Sequence, residues 1–235
     1  MLNLLPQTMT SISVSSSSAL SSAFSGSESD IIVAGSFDVS SSYSFSSKTK
    51  SLTSASAPTT KTLSFSGSSS MFSCGSSGSL TLSYLDLDLY GTVGADGGGF
   101  YLENNHCAVT ISYCTIRDAQ GSNGGVMYIK SGMAAFQYST FTSNTGSNGG
   151  VVYVDDDGQL DVEYSTFTSN LASNVRSCGL LPSDDSARTQ IDGAPAMSGR
   201  RYLLHRRRNS RRVVFQFERR AFFFLPTVVL GSRTR

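Results

Sequence analysis

Three consecutive carboxylates, Asp155, Asp156 and Asp157, form the densest cluster of chemically competent side chains in this sequence, and Asp161 and Glu163 follow close behind. Carboxylates that converge can share acid and base roles at a glycosidic bond, or hold calcium through oxygen ligands. Convergence needs contributions from elsewhere in the chain. The corresponding positions one repeat earlier are Lys130 and Ser131, and two repeats earlier Glu103 and Asn104. Only Glu103 adds a carboxylate, and two strand spacings would set it about 10 Å away. No catalytic set is therefore assigned, and no organic cofactor. The candidate metal site is a weak calcium site at Asp155, Asp156 and Asp157, set against the plainer reading of a solvated acidic turn before Gly158.

The other reactive residue types are scattered. There are two histidines, His106 and His205, and neither has a fixed partner in sequence, so the many serines gain no Ser-His-Asp arrangement. Cys74, Cys107, Cys114 and Cys178 show no zinc-like spacing. Cys107 and Cys114 are near enough in sequence to pair, but isolated thiols inside a repeat core read as small hydrophobes, and that bond is not predicted; the disulfide state of the four is left open.

These residues sit in a repeating frame. Gly97–Asn123, Gly124–Asn148 and Gly149–Asn174 are successive units of 27, 25 and 26 residues. A fixed period of this size marks a repeat architecture. Aligned units give apolar columns: Leu80, Val109, Ala134, Leu160, then Leu82, Ile111, Phe136, Val162, then Leu87, Ile116, Phe141, Phe167. A fourth column, Tyr84, Tyr113, Tyr138, Tyr164, lies two residues beyond the second, which assigns it to the same strand face. It reads as stacked packing at a corner of the coil in preference to a sugar-binding platform. Gly97-Gly98, Gly124-Gly125 and Gly149-Gly150 each follow Asn or Asp and mark turns with positive φ. A third strand follows each pair (Phe100–Leu102, Met127–Ile129, Val152–Val154), and Glu103–Asn105, Lys130–Gly132 and Asp155–Gly158 form a second turn.

Three short strands per unit cannot bury their apolar face alone; stacking them closes a continuous core. The expected fold is all-β: a right-handed parallel β-helix of about six coils at the observed period, over 30–174. Residues 1–29 are Ser-rich, within a segment where 30 of the first 80 residues are serine, and read as mostly disordered. Between them, 30–79 carry short strand-like runs such as Ile31–Val33, Phe37–Val39 and Leu63–Phe65.

Charge divides the chain. Residues 1–174 hold 5 basic and 13 acidic side chains, whereas 175–235 hold 13 Arg and 4 acids. Arg clusters attract phosphate backbones and anionic surfaces. Yet the tail drops the repeat pattern after Asn174, and the preferred reading is a poorly ordered segment foreign to the repeat design, such as a reading-frame artefact, with nucleic-acid binding as the lesser one. The N-terminus lacks the basic and apolar regions of a secretory signal. No stretch nears the ~20 apolar residues of a transmembrane helix.

Gly124-Gly125-Val126-Met127 and Gly149-Gly150-Val151-Val152, with Phe141-x-x-Asn144 and Phe167-x-x-Asn170, resemble the paired signatures of polymorphic outer membrane protein repeats. The resemblance spans roughly Ser79 to Asn174. It departs where Ile116 is followed by Ala119 and Leu87 by Tyr90, so an Asn ladder would have two rungs. It implies a right-handed β-helix of the pectin-lyase type, an extracellular or cell-surface setting, and partners among surface glycans or proteins. The function expected is a non-enzymatic scaffold for adhesion or interaction, a fragment of a longer repeat protein. The alternative is a polysaccharide lyase or glycoside hydrolase on the same fold.

Overall fold

The structure, a computed structural model, describes residues 11–90, 92 and 94–173, together with the backbone of two short strands at 203–205 and 213–216. The side chains of Asp156 and Asp157 lie outside the described residues.

The chain winds as a parallel β-solenoid of about five turns with three faces. In order the strands are β1 (Ser11–Val14), β2 (Asp30–Val33), β3 (Phe37–Val39), β4 (Tyr43–Ser44), β5 (Thr49–Ser54), β6 (Lys61–Phe65), β7 (Phe72–Cys74), β8 (Gly78–Ser83) and β9 (Leu85–Asp88). The repeats proper supply β10 (Phe100–Ser112), β11 (Thr115–Arg117), β12 (Gln120–Asn123), β13 (Met127–Gln137), β14 (Thr140–Thr142), β15 (Thr145–Asn148), β16 (Val152–Glu163), β17 (Thr166–Thr168) and β18 (Leu171–Ala172). The principal sheet runs β1-β2-β5-β8-β10-β13-β16, a second runs β3-β6-β9-β11-β14-β17, and β12-β15-β18 form a third.

The predicted columns are real contacts. Leu82 pairs with Ile111, Ile111 with Phe136 and Phe136 with Val162, and the column extends down through Leu52 and Ile31 to Ile12. From Ile31 to Val162 it marks the complete turns. Their number is about five where about six were expected, and coil length varies along the column, from 21 residues between Ile31 and Leu52 to 30 between Leu52 and Leu82. Phe141 stacks on Phe167 with ring centroids 4.9 Å apart, and Phe72 on Phe100 at 5.3 Å.

Four expectations change. The Ser-rich residues from Ser11 onward are not disordered: β1 pairs with β2, and α1 (Ser17–Ser25) seats Leu20, Ala23 and Phe24 in the core. Its Ser16 accepts the Ala19 N–H as N-cap, and the ammonium groups of Lys48 and Lys50 donate to carbonyls at its C-terminal end, including Phe24 O, Ala23 O and Gly26 O. Lys50 occupies an inward position of β5 at 3% exposure, and burial lowers its pKa. A helix end closed by cations offsets the carbonyls left unpaired there. Second, the polar runs Gln120–Asn123 and Thr145–Asn148, to which the sequence pattern assigned no element, are strands. Third, the supposed second turn is a bulged continuation of one long strand, β10, β13 or β16. Fourth, the tyrosine column does not share the inward face. Tyr84, Tyr113, Tyr138 and Tyr164 all have positive φ (47–54°), which breaks the strand alternation and turns them outward at a corner.

The remaining corners have their own devices. Gly124 and Gly149 adopt φ of 79° and 95°, as their Asn-Gly context predicts, whereas Gly97 does not. At Gly146 a Cβ would lie 2.1 Å from Gly149 O, so the chain there is packed backbone to backbone. The two-rung Asn ladder forms. Asn144, fully buried, accepts Ala119 N–H (3.0 Å) and donates to Ile116 O (3.1 Å) and Asn170 Oδ1 (2.9 Å), and Asn170 donates to Phe141 O (2.9 Å). One turn below the Asn-free position at Ala119, Thr92 Oγ1 accepts the Gln120 N–H at 3.0 Å.

Further along the chain, Leu203–His205 pairs antiparallel with Val213–Gln216, and the latter runs antiparallel to β16 with Phe215 opposite Leu160. The rest of the Arg-rich segment and residues 1–10 lie outside the described residues. No described helix is long and apolar enough to cross a membrane.

Replacing Asn144 by Ala orphans a buried N–H and a buried carbonyl, and is expected to cost about 2–4 kcal/mol. Urea titration of N144A against wild type checks this; the more exposed Asn170→Ala should cost less.

Candidate functional site

Alternation along β10, β13 and β16 buries Phe100 and Leu102, Met127 and Ile129, Val152 and Val154. It therefore stands Tyr101, Tyr128 and Tyr153 over one another on the outward side of the sheet, with ring centroids 5.5 and 5.4 Å apart and Tyr128 in the middle buried. Just beyond them the strands bulge and present Glu103, Lys130 and Asp155, the positions that could do chemistry. Lys130 Nζ lies 2.8 Å from Glu103 Oε1, and this hydrogen bond is the main cause holding the Glu103 carboxyl below its ordinary range. Tyr128 OH donates to Asp155 Oδ2 at 3.1 Å. Burial, and then that bond, push the Tyr128 phenol upward. Burial likewise raises Tyr101.

Every charged group placed here thus meets a partner on the next turn. The strand register puts Glu103 opposite Ser131 and Ser131 opposite Asp157, two spacings or about 10 Å apart. The candidate calcium residues divide: the Asp155 carboxylate is turned to Tyr128, and the side chains of Asp156 and Asp157 lie outside the described residues. Among the described residues no three His, Cys, Asp or Glu side chains are grouped to hold a metal. His106 is exposed, and its backbone N–H and Nδ1 both contact Asn104 Oδ1 (3.0 and 3.1 Å).

The corner tyrosines Tyr84, Tyr113, Tyr138 and Tyr164 stack with centroids 4.7–4.9 Å apart and planes within 6°. Tyr113 and Tyr138 are 45% and 48% exposed. What they expose is ring edges and hydroxyls, because each inner ring is covered on both faces by its neighbours. This is the corner stacking that the column suggested, and it offers a sugar few open ring faces.

Two features had weak signals in sequence. Arg117 bridges Asp86 (3.2 Å), Asp88 (2.7 Å) and Asp118 (3.1 Å) on the outside of the second sheet. The pairing of Leu87 with Ile116 already implies that their outward neighbours meet, so aligning the polar positions as well would have found it. The other is a disulfide between Cys74 and Cys107, 33 residues apart. It joins the end of β7 to the second half of β10, positions that become neighbours only once Cys107 is registered opposite Gly78. Cys114 is a buried free thiol, pushed up to about 12 by burial, which leaves it unreactive as a nucleophile.

No protein-family model matches the chain, and no curated protein matches it in sequence.

The raised phenols set an alkaline limit. A folded pKa above the unfolded value of ~10 contributes stability that is fully present below pH ~10 and is lost as pH rises beyond it. Stability should fall above that pH, and Tyr128→Phe should shallow the fall without abolishing it, since Tyr101 remains. Denaturant midpoints measured from neutral to alkaline pH, in wild type and Y128F, check the slope.

Proposed function

We propose that this chain is a non-enzymatic scaffold of the cell surface or extracellular space, a β-solenoid of the pectin-lyase-like type that its Gly-Gly and Phe-x-x-Asn motifs resemble. The observation that carries the setting is the Cys74–Cys107 bond across neighbouring turns. Disulfides that serve structure persist in oxidising compartments and are rare in the cytosol. The non-enzymatic role is supported by the inter-turn partners of Glu103, Lys130 and Asp155, which use the reactive groups to fasten coils together. Candidate partners are surface glycans or proteins. A lyase or hydrolase of the same fold is the competing reading.

Two experiments test this proposal. Thiol mapping of the protein from its native source should find Cys74 and Cys107 protected until reduction, and reduction should lower stability by about 2–4 kcal/mol in denaturant titration. Free thiols at both positions would overturn the extracellular assignment. Incubation with acidic and neutral polysaccharides should release neither reducing ends nor unsaturated products. Cleavage that disappears in Asp156→Ala would instead establish the enzyme.

A further inference from the structure

The widest outward surface of the solenoid is the principal sheet, and its middle carries a two-dimensional array of hydroxyls. In β5, β8 and β10 the inward positions are apolar except Lys50 and Ser54, and the outward positions alternate with them. Ser51, Thr81 and Thr110 form one outward column, and Thr53, Ser83 and Ser112 form the next. Thr49 and Ser79 open a third, which Ala108 continues. The register across these strands has no shift. Ranks therefore repeat at about 4.8 Å and columns at about 6.7 Å, twice the rise per residue.

The array is uncharged. Charge on this face appears outside the array, at Asp30 on one side, at Asp161 and Glu163 on the other, and past the bulge of the long strands at Glu103, Lys130 and Asp155. Side-chain hydrogen bonds touch only its rim, from Ser51 to Asp30 Oδ1 (2.6 Å) and from Ser112 to Gln137 Oε1 (3.4 Å). Thr53, Thr81, Ser83 and Thr110 make no side-chain hydrogen bond within the described residues and are half-buried. Their threonines are stiff about χ1, so hydroxyl and methyl hold fixed places on a rigid sheet.

These properties narrow the occupant. An anionic or phosphorylated partner needs cations, and the array holds none. A mineral surface of metal ions needs carboxylates, and they are missing from it too. A crystalline polysaccharide needs open aromatic faces, while the nearby tyrosines cover one another. Against liquid water a neutral hydroxyl gains little, since bonds exchange one for one. A regular, uncharged hydroxyl lattice gains over bulk water only against a partner whose acceptors and donors already repeat in two dimensions at similar spacing. The geometry points to a plane of hexagonal ice as that partner, bound through the hydroxyls and methyls of β5, β8 and β10.

The test is partition of the full chain into a slowly growing ice hemisphere, with crystalline cellulose as the comparison surface. Wild-type protein is expected to enter the ice and to leave the cellulose unbound. Thr81→Tyr, at the centre of the array, should be excluded to the level of an inert control protein, with its circular dichroism and thermal midpoint unchanged. Thr110→Val keeps the shape and removes one hydroxyl, and should enter less than wild type; it carries the test if T81Y does not fold. Thr166→Tyr lies outward on the second sheet and should enter as wild type does. Exclusion of wild type from ice, loss in T166Y without loss in T81Y, or retention on cellulose in place of ice would each overturn the inference.

Discussion

Parallel pairing of each turn with the next is the interaction on which everything else depends. A backbone hydrogen-bonded in register at the inter-strand spacing fixes three things together: which side chains are buried, which stand over one another outside, and how far apart any two functional groups are. Ile31, Leu52, Leu82, Ile111, Phe136 and Val162 meet because of it. So do the two outer tyrosine ladders, the Asn144–Asn170 rungs and the Glu103–Lys130 pair. A residue in such a fold interacts first with its equivalents one turn above and below, and like residues are pushed into ladders.

This constraint also explains the chemistry of the surface. Because equivalents lie one strand spacing apart, an acid tends to meet whatever the next repeat put in its place. At the bulge of the long strands that neighbour is a lysine or a tyrosine, so charge is consumed between turns instead of being collected at one point. Convergent catalysis on a solenoid requires several turns to break the repeat in a concerted way. Here the breaks that occur serve closure: Lys48 and Lys50 bind the end of α1, Thr92 stands in near the missing Asn rung, and Cys107 ties an inserted stretch of β10 to the end of β7.

The legible part of the structure was the part written with a strong period. Columns read from Leu80 to Val162 reproduced the core register, and Phe-x-x-Asn gave both Asn rungs. Where apolar contrast was weak, the reading failed. Thr49–Ser54 carries an inward lysine, Gln120–Asn123 and Thr145–Asn148 are wholly polar, and Ser17–Ser25 is a helix spelled mostly with serine. Each is held by backbone pairing or by burial against a core that the segment itself does not announce. The tyrosine column was found and then assigned to the wrong face, because spacing by two assumes an unbroken strand, and each tyrosine's own positive φ takes its side chain out of the strand's alternation.

The architecture and its repeat unit are legible without any structure, since period and alternation are one-dimensional properties that any local reading can recover. So is the absence of a shared pattern in the acidic residues. The disulfide, the lysine-closed helix and the outward hydroxyl array emerge only in the folded chain. Each of these joins residues some twenty to thirty positions apart, and their meeting depends on the length of the intervening coil. That length varies from turn to turn, so proximity follows from the closed register and from nothing shorter in range.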